Sequence, residues 1–114
     1  MDEVLRQTLL YDFYGELLTE HQREVYEAVM QNDLSYSEAA EEFGVSRQGV
    51  HDLVKRSGKI LEEYESKLHL VERFLKIRAK AERIRELSTH YEEMDAQIFA
   101  EQVSGLSAQI LEEL

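Results

Sequence analysis

The stretch YSEAAEEFGVSRQGVHDLVK, residues 36–55, decides how this chain folds, because its small and apolar side chains stand where two short helices crossing at a tight turn need them. Counted from Tyr36, Ala40 is fifth, where the two helices approach closely. Gly44 is ninth, where the turn takes a positive φ that any β-carbon would strain. Ala39, Phe43, Val45, Val50 and Leu53 occupy the positions expected to face the interior. The pattern is that of a helix-turn-helix, whose second helix offers its polar edge to a nucleic acid.

Outward from this stretch, helix signals fill the chain. A first helix is predicted over residues 3–18, where Val4, Leu9, Leu10, Phe13, Tyr14 and Leu17 recur at helical spacing. Thr19 with Gln22 forms a capping box for the next, whose stripe of Val25, Tyr26, Val29 and Met30 runs to Asn32 and Asp33. Ser35 with Glu38 repeats the device for the short helix ending at Phe43, and Ser46 caps the helix after the turn. On a wheel of about 100° per residue that helix separates into two sides. Val50, Leu53, Val54, Ser57, Ile60, Leu61 and Tyr64 form one, and Arg47, Gln48, His51, Asp52, Lys55, Arg56 and Lys59 the other.

The stripe loses phase near Ser66 and resumes with Leu70, Phe74, Ile77, Ala81 and Ile84, which predicts a bend or a new helix over about residues 68–90. A last helix over about residues 93–114 carries Phe99, Val103, Leu106, Ile110 and Leu114. Such a seam must be covered, either by the helix-turn-helix or by a second copy in a homodimer. The expected fold is all-α: a helix-turn-helix bundle over residues 1–67 with C-terminal helices over 68–114, together one folding unit.

Composition narrows the function classes. No proline and only five glycines leave too little punctuation for a sheet of short strands. Having no cysteine excludes disulfides, thiolate catalysis and cysteine-ligated zinc. The longest run without charge, residues 102–111, is about half a bilayer span, and the acidic start is unlike a secretion signal, so a cytoplasmic protein without a membrane partner is expected. His21, His51, His69 and His90 lie far apart without ligand spacing, and no paired acids mark a pocket. No enzyme, metal or cofactor is expected.

The net charge of −11 argues against a nucleic-acid partner until its distribution is read. Residues 1–43 carry net −9, residues 44–85 net +5 and residues 86–114 net −7. The basic block opens at the predicted turn, where a phosphate backbone would lie. Ser46, Arg47, Gln48, His51, Lys55, Arg56 and Lys59 are therefore the candidate nucleic-acid-binding residues. Gln48 suits adenine, Arg47 guanine or phosphate, and Lys55, Arg56 and Lys59 the backbone. DNA is the first expectation and RNA the second. Residues 47–59 can instead be read as a plain solvated face, and Asp52, a carboxylate among them, repels phosphate unless it accepts from cytosine or pairs with Lys55 or Arg56. The later cluster of Arg73, Lys76, Arg78, Lys80, Arg83 and Arg85 reads equally as an RNA contact or as compensation for the acidic flanks.

Four segments, LYDFY (10–14), LLTEHQR (17–23), AEEFGVSRQ (40–48) and LEEYESKLHL (61–70), taken in order, resemble the YlxM family over roughly residues 5–75. Members are small helix-turn-helix proteins similar to region 4 of bacterial sigma factors, encoded beside genes of the signal recognition particle. The resemblance implies a sigma region 4-like fold, a regulatory role and a component of that particle as a partner. It places Ser46, Arg47 and Gln48 at the start of the recognition helix, with Asp52, Lys55 and Arg56 continuing it. Gly49 departs from the alanine expected there, at a cost of about 1 kcal/mol in helix propensity.

Overall fold

The computed structural model describes residues 2–114, which form six α-helices and no strand: α1 (Glu3–Tyr14), α2 (Glu20–Met30), α3 (Tyr36–Phe43), α4 (Arg47–Leu68), α5 (Leu70–Thr89) and α6 (Ala96–Glu113). The all-α class expected from the sequence is the one adopted. The described chain divides into two compact units, the first ending at His69 and the second running Leu70–Leu114.

In the first unit, side chains standing just before the helices set their starts. Thr19 Oγ1 accepts from the Gln22 amide at 3.2 Å while the Gln22 side chain accepts from the Thr19 amide at 3.0 Å. Ser35 and Glu38 make the same reciprocal pair at 3.0 Å in each direction. The backbone bond from Ser35 holds the Glu38 carboxyl below its ordinary range, so this cap weakens as acid protonates it. Two capping boxes thus pin the entries to α2 and α3.

The first helix ends earlier than the apolar spacing predicts. After Tyr14 the chain tightens into a 3-10 turn, Gly15–Leu17, and Leu18 is extended (φ −75°, ψ 156°) so that Thr19 can cap α2. Gly15 is buried against the Tyr11 ring, where a β-carbon would lie 2.9 Å from Cε2. This tightening buries Leu18 in the core and leaves Leu17 and Phe13, both expected inside, substantially exposed.

The core of this unit is built on α4, against which α1, α2 and α3 all pack. Val50, Val54, Ser57, Leu61 and Glu65 are its buried positions, spaced four, three, four and four apart along one face. They meet Leu9, Leu10, Tyr14, Leu18, Val25, Tyr26, Ala28 and Ala39. Each large apolar side chain removed from water contributes about 1.5–3 kcal/mol, so this face outweighs the modest helix propensity of Val50 and Val54. The rings of Tyr11 and Tyr26 stack at 5.6 Å, and those of Tyr14 and Tyr64 at 6.0 Å. Two tyrosine hydroxyls are tied down, Tyr14 donating to Glu65 at 2.6 Å with both side chains buried and Tyr11 donating to Glu27 at 2.7 Å, whereas the buried Ser57 Oγ has no hydrogen-bond partner among the described residues. Burial, then the Glu27 bond, pushes the Tyr11 hydroxyl up to about 12. At the surface Arg6 pairs with Glu62.

The second unit is a hairpin of two helices. His69, with φ 58°, ends α4 in the left-handed conformation, so the phase loss noted near Ser66 is a helix end followed by a new helix. A 3-10 turn, Tyr91–Glu93, follows α5, and Asp95 then caps α6 by accepting from the Gln97 and Ile98 amides at 2.9 and 3.2 Å. Lys76 on α5 reaches Glu113 at the end of α6 at 4.0 Å, as antiparallel helices require. On α6 no residue is buried, and Leu111 and Leu114 are 69% and 85% exposed. Phe74, assigned to the core by its spacing, is 37% exposed. No helix of the described residues is long and apolar enough to cross a membrane.

Candidate nucleic-acid interface

The turn between α3 and α4 takes its geometry from one residue. Gly44 has φ +67° and ψ 34°, and its amide and that of Val45 both donate to the Ala40 carbonyl, closing α3. A β-carbon at position 44 would meet nothing within 4 Å, so the demand for glycine lies in the backbone and not in space. Of the residues expected inside, Ala39 and Val50 are fully buried and Ala40, Phe43 and Leu53 partly so. Val45 is 37% exposed: one residue past the glycine the chain is still reversing direction.

Ser46 begins α4. Its Oγ accepts from the Gly49 amide at 2.9 Å, so the serine of the candidate set holds the helix end in place. A β-carbon at Gly49 would lie 3.0 Å from this Oγ, which supplies a local reason for glycine where alanine is expected. Since α1, α2 and α3 cover the opposite side, Arg47, Gln48, Lys55, Arg56 and Lys59 are all exposed and His51 half-buried on one outward face. Among the described residues no ion pair involves Arg47, Lys55, Arg56 or Lys59, so four cations stand ready for an external anion. At 1.5 Å per residue Arg47 and Lys59 are about 18 Å apart along the helix, more than the roughly 12 Å width of a DNA major groove. The first two turns are short enough for such a groove, and Lys59 stands beyond that span.

Of the two ways open to Asp52, the ion pair with Lys55 or Arg56 is not made among the described residues. Its Oδ1 accepts from Gln48 Nε2 at 3.0 Å and faces His51 Nδ1 at 3.3 Å. The His51 contact first, and the Gln48 bond second, hold its carboxyl below the ordinary aspartate range. Across the turn the rings of His51 and Tyr36 of α3 meet in a T-shaped contact, their centroids 5.5 Å apart and their planes at 78°. Tyr36 therefore joins the face although it was not among the candidates, and Asp52, already placed on that face by the helical wheel, is the group on which Gln48 and His51 converge. The four-residue step from Gln48 to Asp52 was visible in the sequence, whereas the contact between Tyr36 and His51 needs the crossing of two helices.

On α5 the basic cluster is partly used internally. Arg78 pairs with Glu82 at 3.0 Å, Arg83 with Glu86 at 3.2 Å and Lys76 with Glu72 at 3.4 Å. Such contacts favour charge compensation there over an RNA contact. Among the described residues no group of three or more histidine, aspartate and glutamate side chains is arranged to hold a metal ion.

Comparison with known proteins agrees with this geometry. The family model UPF0122, described as "Putative helix-turn-helix protein, YlxM / p13 like", matches residues 1–101. A UPF0122 protein of Caldanaerobacter subterraneus subsp. tengcongensis is 49% identical over 85 residues, 75% of this chain and 73% of that protein. Another, from Halalkalibacterium halodurans, is 42% identical over 106 residues, 93% of this chain and 92% of the relative. A third, from Bacillus thuringiensis, is 38% identical over 98 residues, covering 86% and 89%. The match includes the turn at Gly44 and the whole of α4, and the chain belongs to the UPF0122 family of YlxM/p13-like helix-turn-helix proteins.

Proposed function

We propose that this protein is a cytoplasmic, non-enzymatic regulator that binds double-stranded DNA through the first turns of α4, as a homodimer, in connection with the signal recognition particle system. The observation that carries the reading is the outward row of Arg47, Gln48, Lys55, Arg56 and Lys59 on a capped helix, with its cations unpaired among the described residues. DNA is favoured over RNA because the B-form major groove admits a helix and the deep, narrow A-form groove does not. In this reading Ser46 fixes the helix end, Gln48 and His51 face base edges, and the four cations take phosphates. The homodimer is supported by α6, on which no side chain is fully buried and Ile98 and Leu111 are exposed. The link to the particle rests on the family resemblance.

The test is a mobility-shift series with the gene's own upstream DNA and the particle's RNA as probes. Wild-type protein is expected to bind the DNA with an affinity that falls steeply with salt as counterions are released. Replacing Arg47, Gln48 and Lys55 together by alanine should abolish the shift while leaving the helical circular dichroism intact. Binding indifferent to both changes would remove the reading.

A second reading is favoured by the charge of the molecule. The exposed side of α3 carries Glu38, Glu41 and Glu42, and residues 86–114 carry seven acids and no base, surfaces that suit a basic protein partner such as the particle's GTPase. Reversing acids in residues 86–114 should weaken such a complex, and the same change should strengthen DNA binding under the first reading.

A further inference from the structure

Asp52 is a carboxylate in the middle of a face otherwise suited to phosphate, and electrostatics alone makes it a liability there. Its contacts give it a task. Accepting from Gln48 Nε2 at 3.0 Å, it can only take a donor, so it dictates which end of the amide is nitrogen. One N–H of Gln48 is then spent on Asp52, and the second N–H and the carbonyl oxygen remain for a ligand. That is the donor and acceptor pair required for the N7 and N6 edge of adenine. The same Oδ1 faces His51 Nδ1 at 3.3 Å, which in the neutral imidazole places the proton on Nδ1 and leaves Nε2 as an acceptor. Tyr36 meets the His51 ring from α3 and limits its rotation.

We propose that Asp52 is the positioning residue of the reading face, orienting the Gln48 amide and the His51 ring for base edges while its charge disfavours sequence-blind binding to phosphate. This rests on the proposed DNA-binding role of α4 and adds the origin of its selectivity. Affinity and specificity are set in opposition: the carboxylate lowers attraction to any duplex and raises discrimination among duplexes. A helix face carrying four unpaired cations would otherwise hold every DNA alike.

Two variants separate charge from hydrogen bonding. Asp52→Ala removes both, and Asp52→Asn removes the charge but keeps an oxygen acceptor. Selection from a randomised duplex pool, with affinity for a random-sequence duplex measured alongside, is expected to give a base preference of at least about fivefold at one position for wild type, the lower bound for a bidentate contact. Asp52→Ala should flatten that preference and bind the random duplex more tightly. Asp52→Asn should bind it more tightly too, yet keep the preference. An unchanged preference in Asp52→Ala overturns the proposal, as does loss of the preference in both variants.

Nitrogen-15 spectra of the free full-length protein read the orientation without DNA. With the imidazole neutral, His51 should be the Nδ1–H tautomer in wild type and shift toward Nε2–H in Asp52→Ala, with the separation of the two Gln48 side-chain amide protons moving to that of a solvent-exposed glutamine. Identical spectra in the two proteins also overturn the proposal. If wild type shows the expected spectra but binds no duplex, the DNA-binding role is what fails, and the selectivity proposed here falls with it.

Discussion

Two helices of this molecule, α4 and α6, carry apolar stripes of similar regularity and meet opposite fates. On α4 five positions are buried, and on α6 none is. The difference lies in the number of neighbours: α1, α2 and α3 all pack on α4, while within its own unit α6 has only α5. A helix touched along one line covers a narrow strip, and one enclosed on three sides covers half its circumference. An apolar repeat therefore announces that a face wants covering, without saying whether this chain covers it.

The largest expected effect sets these stripes against each other. Leu61→Ala, at a fully buried position, should cost about 2–5 kcal/mol in urea denaturation, and Leu106→Ala, half-exposed on α6, less than about 1.5 kcal/mol in dilute protein. If the cost at Leu106 grows with protein concentration, a second copy covers α6. Equal costs at both sites would erase the contrast.

Next is Tyr14→Phe, which deletes the buried hydroxyl donated to Glu65 and should cost about 2 kcal/mol by the same measurement. Gly44→Ala is expected to lose about 1–2 kcal/mol through the left-handed backbone alone, since the new methyl group has open space, and the midpoint of thermal unfolding reports it. Asp95→Ala, at the start of α6, should cost about 1 kcal/mol at most, read as faster amide exchange at Gln97 and Ile98. The smallest effect concerns Tyr11. Its folded-state pKa is raised from 10.0 to about 12, so its contribution to stability is full below pH 10 and is lost as pH climbs toward 12. Comparing alkaline unfolding of wild type and Tyr11→Phe isolates that contribution; identical curves would discount the buried bond to Glu27.

Much of the first unit was legible in advance because local chemistry specifies it. The hydroxyls of Thr19, Ser35 and Ser46 and the achiral Gly44 act on residues within four positions, and each stands where the spacing places it. What escaped the reading depends on packing. The shift from Leu17 to Leu18 at the end of α1 follows from the 3-10 turn at Gly15, and the exposure of Val45 from the path of the chain after Gly44. At the candidate interface the same division holds. The polar face of α4 follows from helical periodicity, but the convergence of Gln48 and His51 on Asp52 depends on rotamers, and Tyr36 joins only through a contact between helices.

By itself, then, the sequence determined the helices, their caps and the left-handed turn that separates α3 from α4, because these depend on interactions within a few residues along the chain. Tertiary structure alone decided which stripe became a core, how the buried Tyr14 hydroxyl and Glu65 carboxylate satisfied one another, and that Tyr36 of α3 meets the His51 ring. Those outcomes join groups distant in sequence or choose among rotamers of equal local energy, and only the packed neighbours of each group select among them.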